Sequence, residues 1–400
     1  MEIEVPCYFV CPISMQLMKD PVTVSTGITY DRENIEKWLF SCKNTTCPVT
    51  KQPVRTSDLT PNHTLRRLIQ AWCTLNTVDR IPTPKAPVDR SQILKLLDDS
   101  KNSPTSQLNC LHRLRSIAHR DESSRNQLQT AGAVVEFLSS VVRKNADAAA
   151  KDEAIDILQK IELLDSDLKR LAADNNGEFL DSLMQILEIG SDQSRAHAIT
   201  LLKSAFDVAD PDHLIGSRPE LFGHISRIIA DKISAEATKS ALKLLVELCP
   251  WGRNRVKAVE GGAAAVLIEL LLETAERRVC ELSLAALDQL CRCAEGRAEV
   301  LRHAAGLAVV SKKIMRVSHG ASERAVRIIC SIASHTANRR VLEEMVEVGV
   351  VSKLCLVLQV EASERTKERA REILRLHSRV WRNSSCIPSH FISSYLISSP

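Results

Sequence analysis

Residues 254–291 read NRVKAVEGGAAAVLIELLLETAERRVCELSLAALDQLC. After Gly262 comes AAAVLIELLL, an apolar run with no turn former. After a short polar break, RVCELSLAALDQLC places Cys280, Leu284, Leu287 and Cys291 on one stripe of a helix, at i, i+4, i+7 and i+11. A shorter helical segment, NRVKAVEGG, precedes the glycine. The segment therefore predicts three helices in succession, two of them with an apolar face that needs a partner.

The same order recurs along the chain. A glycine or proline followed by an apolar helix stands at Gly132 (AVVEFLSSVV), Gly177 (EFLDSLMQIL), Pro219 (ELFGHISRII), Gly306 (LAVVSKKIM) and Gly349 (VVSKLCLVL), at intervals of 42–45 residues. Between these starts lie second amphipathic stretches: DEAIDILQKIELL, SRAHAITLLKSAF, ATKSALKLLVELC and SERAVRIICSIAS. Three helices in that period is the armadillo-type unit, which buries its faces only by stacking on neighbours. Stacked units leave a long concave surface, which is a binding surface rather than an active site. The charged segment SERTKERAREILRLHSRVW (363–381) reads as a salt-bridged helix capping the stack.

Outward from the repeats, IPTPKAP (81–87) carries three prolines that no helix crosses, and it predicts a domain boundary. The expected organisation is a small α/β unit at 6–80, a linker at 81–90, six to seven repeats at 91–381, and a disordered Ser-rich tail at 382–400. The fold class is mainly α, a small α/β domain followed by an armadillo-type α-solenoid.

Composition agrees. Of 400 residues, 44% are hydrophobic, 26% charged and only 4% aromatic, which favours helices over sheets. A formal charge of +4 is too small to indicate a nucleic-acid partner. Basic clusters such as Lys312-Lys313 with Arg316, or Arg339-Arg340, lack interleaved aromatics and read as solvated helix faces. The start MEIEVPCYFVCP has no basic region leading an apolar one, so no secretory signal is expected. The longest apolar run, 263–272, contains Glu269 and is too short for a membrane span. An intracellular, cytoplasmic protein is expected, with nuclear or peripheral membrane association compatible. The 13 cysteines then form no disulfide framework. Cys249, Cys280, Cys291, Cys330 and Cys355 sit at helical core spacing, where cysteine acts as a small hydrophobe.

The first eighty residues hold FVCPISMQLMKDPVTVSTGITYDRENIEKWL (9–39), TCPVTKQPV (46–54) and LTPNHTLRRLIQAW (59–72). Two loops around a hairpin and a helix are predicted. Val22-Thr23-Val24 is a strand after Asp20-Pro21, and Ser25-Thr26-Gly27 is the turn. Asp31 is expected to cap a helix from Arg32 with Ile35, Trp38 and Leu39 on one face. Thr60-Pro61 is expected to start another helix, with Leu65, Leu68, Ile69 and Trp72 as its buried stripe. No C-x-x-C pair occurs here: Cys7 and Cys11 are four apart, Cys42 and Cys47 five, and His63 has no ligand partner in spacing. No zinc or other metal, and no cofactor, is expected. A thioester on Cys11, Cys42 or Cys47 would need a base, and nothing pairs His63 with a cysteine.

In order, the elements Cys-Pro-Ile-Ser, Asp-Pro-Val, Gly-x-Thr-Tyr-Asp-Arg, Ile-x-x-Trp-Leu, Cys-Pro-Val-Thr and Thr-Pro-Asn-x-x-Leu resemble the U-box, over roughly residues 6–80. In that family hydrogen bonds and ion pairs hold the two loops that zinc holds in RING domains. With the repeats, the whole chain resembles plant U-box ligases, in particular those linked to defence signalling. The resemblance implies a ubiquitin transferase (EC 2.3.2.27) whose partners are a ubiquitin-conjugating enzyme (E2), ubiquitin, and a protein substrate in the armadillo groove. The thioester stays on the E2, with no nucleophile on this chain. It places Ile13, Met15, Trp38, Pro48 and Val49 in the E2-binding groove. Lys51 stands where many members carry an arginine linchpin between E2 and ubiquitin, and lysine cannot make that planar, multi-donor bridge. Gln52 sharing the role, or greater reliance on the E2, are the other readings. Self-pairing through an exposed apolar edge is compatible with a domain of this size.

Two other roles for the repeats compete with substrate recruitment. Nuclear-import adaptors grip basic peptides with a ladder of Trp and Asn. Here the asparagine places hold Lys160, Ser204, Glu247, Gln289 and Ser331, and the tryptophan places Asp156, Thr200, Lys243, Ala285 and Arg327. An armadillo scaffold without ligase activity is the alternative function.

Overall fold

The computed structural model describes residues 5–41, 46–54, 59–75, 90–100, 103–120, 122–143, 147–173, 177–209, 214–335 and 338–381. The proline-rich stretch, Cys42 and the Ser-rich tail lie outside them. The chain divides into two compact units, Met1–Pro87 and Val88–Pro400.

In the first unit, β1 (Pro21–Thr23) is the centre of a three-stranded antiparallel sheet, between β2 (Thr29–Asp31) and β3 (Thr60–Pro61). Val22 pairs with Tyr30 on one side and Pro61 on the other. Gly27, at φ 83°, makes the β1–β2 turn, a conformation open to glycine without a Cβ penalty. Helix α1 (Arg32–Glu36) passes directly into a π-helical turn, Lys37–Ser41, so it is shorter than one continuous amphipathic helix. Thr60-Pro61 does not begin a helix. Proline lacks an amide donor and is tolerated on this edge strand, and α2 (His63–Leu75) starts two residues later. The Asn62 side chain caps it by accepting from the Leu65 amide at 3.0 Å. Ile69 is buried and Leu65 and Trp72 pack against the core, but Leu68 faces solvent. The core is small: Phe9, Met18, Val22, Tyr30, Ile35, Leu39, Ile69 and a few neighbours, with Cys11, Cys47 and Cys73 among them.

The second unit is helical throughout its described length. Helices α3 (Arg90–Asp99) and α4 (Pro104–Ala118) precede α5 (Glu122–Thr130), α6 (Gly132–Arg143) and α7 (Ala148–Lys160). Then come α8 (Asp165–Ala173), α9 (Glu178–Ile189), α10 (Asp192–Asp207), α11 (Pro219–Asp231) and α12 (Ala235–Leu248). The most regular repeats are α13 (Asn254–Glu260), α14 (Ala263–Glu273), α15 (Arg277–Leu290) and α16 (Ala294–Arg302), α17 (Gly306–Lys313), α18 (His319–His335). Helices α19 (Arg339–Glu347), α20 (Val350–Gln359), α21 (Glu364–Leu376) and α22 (Ser378–Trp381) finish the stack.

Helices one period apart pack on each other. α4, α7, α10, α12, α15, α18 and α21 form one ladder, and α6, α9, α11, α14, α17 and α20 the other. One apolar core runs from Ile93 to Trp381. Gly177, Gly262 and Gly349 precede their helices at φ 75–88°, which explains their recurrence. Gly306 recurs for another reason: a Cβ there would lie 1.9 Å from the Val300 carbonyl oxygen. Ser103, Ser191, Ser234, Ser318 and Ser363 each accept an amide from the first turn of the helix they precede, at about 1 kcal/mol apiece.

The terminal helix carries the expected ion pairs, one of them from Arg369 to Glu323 of α18 at 3.8 Å, and packing seals the end of the stack as well. The pairs within α21, Lys367–Glu364 and Arg371–Glu364, are both 3.9 Å long and involve an exposed glutamate. Trp381, by contrast, is fully buried and donates its indole N–H to the Leu342 carbonyl at 3.0 Å. Of the five repeat cysteines assigned to the core, Cys330 is only half-buried and the other four are buried. Two of the residues at the tryptophan places are tied between repeats. Asp156 accepts from Arg115 Nε at 3.0 Å and lies 3.1 Å from His119 Nε2, and Arg327 donates to Asp288 at 2.6 Å.

Candidate functional site

The first unit presents two loops of identical local construction. CPISMQ (11–16) and CPVTKQ (47–52) share three of six residues, Cys, Pro and Gln; two of the other three pairs, Ile/Val and Ser/Thr, keep their chemistry, and Met/Lys changes it. In the first loop the Cys11 amide donates to the Gln16 carbonyl at 2.8 Å and the Met15 amide to the Cys11 carbonyl at 2.9 Å. In the second, the Cys47 amide donates to Gln52 at 2.8 Å and the Lys51 amide to Cys47 at 2.9 Å. Val10 bridges Leu17, and Thr46 bridges Pro53, at the same offsets. Met15 and Lys51 occupy equivalent positions at φ 56° and 59°. Left-handed backbone is unusual for such side chains, and the closing hydrogen bonds hold it.

Both loops are clasped to the strand–helix element between them. Asn34 Nδ2 donates to Ser14 Oγ at 3.1 Å, and the Trp38 indole N–H donates to the Thr46 carbonyl at 2.9 Å. Asn34 and Trp38 are four residues apart, so neighbouring positions of one helical face hold the two loops. Asp31 sits where a cap would, with extended backbone, yet its carboxylate does not cap α1. Its Oδ1 instead accepts from the Lys19 and Asp20 amides, both at 2.8 Å, because those two donors have no ladder partner. Asp20 in turn pairs with Arg32 Nε at 2.7 Å, and Arg66 Nη1 of α2 lies 4.0 Å away.

The two loop cysteines are fully buried and act as acceptors. Cys11 Sγ receives the Asp31 amide at 3.3 Å, with Asn34 Nδ2 at 3.8 Å. Cys47 Sγ receives the Thr26 hydroxyl at 3.4 Å and the Thr50 amide at 3.5 Å, and lies 2.9 Å from the Tyr30 hydroxyl. Burial pushes the Cys47 thiol up, but the Thr26, Thr50 and Tyr30 hydrogen bonds outweigh it and bring it down to about 6. Burial, then the bond to Cys47, pushes the Tyr30 phenol well above its ordinary value. Among the described residues, no group of three or more His, Cys, Asp or Glu is arranged to hold a metal ion.

Of the residues singled out from the sequence, Met15 is 76% exposed and Val49 53% exposed, one on each loop. Ile13 and Trp38 are partly buried against the core, Pro48 is half-buried and Lys51 is exposed. The two loops and the α1 end thus carry an apolar, solvent-reaching set of side chains on a backbone fixed by hydrogen bonds. The sequence reading missed the supporting residues: Thr26, Tyr30, Asn34 and the true role of Asp31. Their signal was the repeated Cys-Pro-x-x-x-Gln, which marks two matched turns that need anchoring.

Comparison with known proteins bears on both units. The family model "U-box domain" matches residues 5–77, and "Plant U-box protein ARM repeat region" matches 91–397. The chain is similar to E3 ubiquitin-protein ligase PUB23 of Arabidopsis thaliana, 50% identical over 404 residues that cover 98% of each chain. It is similar to PUB22 of the same plant at 48% identity over 431 residues, covering 98% of this chain and 99% of that one. A solved structure titled "A conserved phosphorylation switch controls the interaction between cadherin and beta-catenin in vitro and in vivo" aligns with TM-score 0.57 at 13% identity, covering 78% of this chain and 58% of that one, which bears on fold alone. With both units matched by these models and nearly its whole length shared with these relatives, the chain belongs to the plant U-box proteins that carry an armadillo-repeat region.

Proposed function

We propose that the chain is an E3 ubiquitin ligase that docks a ubiquitin-loaded E2 on the paired loops of its U-box and recruits a protein substrate along the armadillo groove. The observation that carries the docking reading is the exposure of Met15 and Val49 on two loops of fixed backbone. A rigid apolar crest loses little entropy on contact, and a small one suits a partner that must leave and be reloaded. Ile13, Pro48 and Trp38 complete the E2-binding set, with Trp38 as both wall and clasp of the second loop. The reaction is isopeptide formation on a substrate lysine by attack on the E2 thioester (EC 2.3.2.27), and the ligase contributes positioning. Cys11 and Cys47 are buried acceptors, which supports a reaction with no thioester on this chain.

The test is self-ubiquitination with E1, a broad E2 panel, ubiquitin and ATP. Wild type should build chains, and Met15→Asp or Val49→Asp should build none while unfolding like wild type. Inactivity of the wild type with every E2 favours the scaffold reading, and a reducible ubiquitin adduct on the chain contradicts the mechanism. Lys51 acts as a point-charge linchpin between E2 and ubiquitin, from an outward-projecting left-handed turn. Lys51→Arg, which adds a planar donor fork, should speed single-turnover ubiquitin discharge several-fold; an unchanged rate would remove Lys51 from that role.

For the groove, charge-altering variants at Lys243 and Glu247 should lose substrate capture yet keep self-ubiquitination. A cytoplasmic place in plant defence or stress signalling is the accompanying proposal, resting on the whole-chain resemblance. Imaging of the tagged chain, and pathogen or drought responses of plants lacking it, test that.

A further inference from the structure

Along the edge of the stack where the second helix of a repeat turns into the third, neighbouring repeats are tied together. Lys232 pairs with Glu273, Lys239 Nζ lies 2.6 Å from Glu276, and Lys313 Nζ donates to the Thr274 carbonyl at 2.8 Å. Between the last two repeats this pattern stops. The turn before α18 runs over 314–318, longer than the matching turns at 232–234 and 274–276, and holds Met315 at φ 61°. Among the described residues no ion pair joins it to the following turn, 360–363; Arg369–Glu323 at 3.8 Å joins the helices instead. A cleft of about 460 Å³ opens between the two turns. Its hydroxyls are engaged within the protein. Ser318 Oγ accepts the Ala321 amide, Ser322 Oγ accepts the Met315 amide and donates to the Ser318 carbonyl, and Ser363 Oγ accepts the Thr366 amide. What the cleft offers an occupant is therefore the apolar surface of Met315, Val317, Val357, Val360 and Ala362. Arg316 and Glu361, both exposed and opposite in charge, also line it and favour neither an anion nor a cation.

We propose that the chain's own segment 382–400, RNSSCIPSHFISSYLISSP, folds back into this cleft, seats Phe391 against Met315 and Val360, and latches the last two repeats together. Among its serines, Phe391-Ile392 and Tyr395-Leu396 recur at four-residue spacing, which makes one apolar stripe of the kind the cleft accepts. The segment starts from Trp381, which is buried and bonded to Leu342 of α19. The cleft lies at the end of α20 away from α19, and α20 has 10 residues, a length of about 15 Å. Residues 382–391 span about 33 Å when extended, so Phe391 reaches the cleft with chain to spare. The matched repeat region also runs to 397 rather than stopping at α22. Because α18 and α21 are successive rungs of one ladder, a latch between their leading turns fixes the spacing at the end of the stack.

The experiment uses the full chain and follows hydrogen exchange by mass spectrometry over 314–323 and 357–366. Phe391→Asp should speed exchange in both segments several-fold and leave 263–290 at the wild-type rate. Ser398→Asp, which adds the same charge without removing an apolar side chain, should change neither. In a second measurement, Phe391→benzoylphenylalanine should photo-cross-link within one chain to Met315 or to residues 357–362. Mixing isotopically light and heavy chains separates that product from a link between two copies. If Phe391→Asp leaves exchange around the cleft unchanged, the tail does not cover it and the cleft belongs to an outside partner. The proposal also fails if Ser398→Asp speeds exchange as much as Phe391→Asp, or if the cross-links join two chains or fall elsewhere on the stack.

Discussion

The U-box and the armadillo stack hold their functional surfaces by opposite means. In the U-box, a core of about a dozen residues cannot by itself position two exposed loops, so buried acceptors do it: Asp31 on the Lys19 and Asp20 amides, Cys11 and Cys47 on neighbouring donors. In the stack, one apolar core passes through every repeat, and the surface follows from the superposition of near-identical units. The difference teaches where each is fragile. A small domain fails through a single unsatisfied polar group, while a solenoid fails through loss of apolar contact, locally and by repeat.

The comparison can be broken most severely at the end of the stack. Trp381→Ala removes a fully buried side chain and its bond to Leu342, and should cost about 3–5 kcal/mol. Hydrogen exchange should show the loss confined to α19–α22, with E2 discharge unchanged. In the U-box, Asp31→Ala strands two backbone amides and should cost roughly 2–3 kcal/mol. Here the whole domain should unfold together, seen as loss of E2 discharge at a lower temperature than wild type.

Acidity separates the two units by sign. The Cys47 thiol is lowered from 9.0 to about 6 in the fold, so its contribution is fully present above the unfolded value and is lost as pH falls through the folded one. Its titratable contact is Tyr30, whose phenol stays neutral in that range. Burial pushes the repeat thiol of Cys249 up to about 12, so the unfolded chain ionises first and stability falls as pH rises above the ordinary value of 9.0. Unfolding followed by pH should show the U-box weakening towards acid and the stack towards alkali. Cys47→Ser should flatten the first, whereas Cys249→Ala should lessen the second without abolishing it, because burial also pushes up the thiols of Cys110 and Cys355. The mildest change sharpens the repeat logic: Gly262→Ala meets open space but a φ of 80°, and should cost about 1 kcal/mol.

How much of this was legible depended on the kind of force. The repeats were readable because apolar periodicity is local and recurs: the helix starts at Gly132, Gly177, Pro219, Gly262, Gly306 and Gly349 follow directly from composition at each site. The resemblance pointed to the two loops, and the structure shows Met15 and Val49 exposed on them. The anchoring was not, because a side chain near a helix start has several acceptable partners. Asp31 looked like a cap and serves a loop twelve residues earlier, and Thr60-Pro61 looked like a helix start and pairs as an edge strand. Sequence order does not tell which backbone donors a fold will leave unpaired, and those donors decide where Asp31, Tyr30 and Cys47 point.

The central claim is that the fixed apolar crest of the U-box recruits a loaded E2. Single-turnover discharge of ubiquitin from an E2 to free lysine, by wild type and by Ile13→Ala, tests it most directly. Ile13→Ala is cleaner than Trp38→Ala, which also releases the Thr46 clasp. The account predicts rapid discharge by wild type and discharge no faster than E2 alone by Ile13→Ala, with unfolding within about 1 kcal/mol of wild type. Equal rates for the two proteins would contradict it.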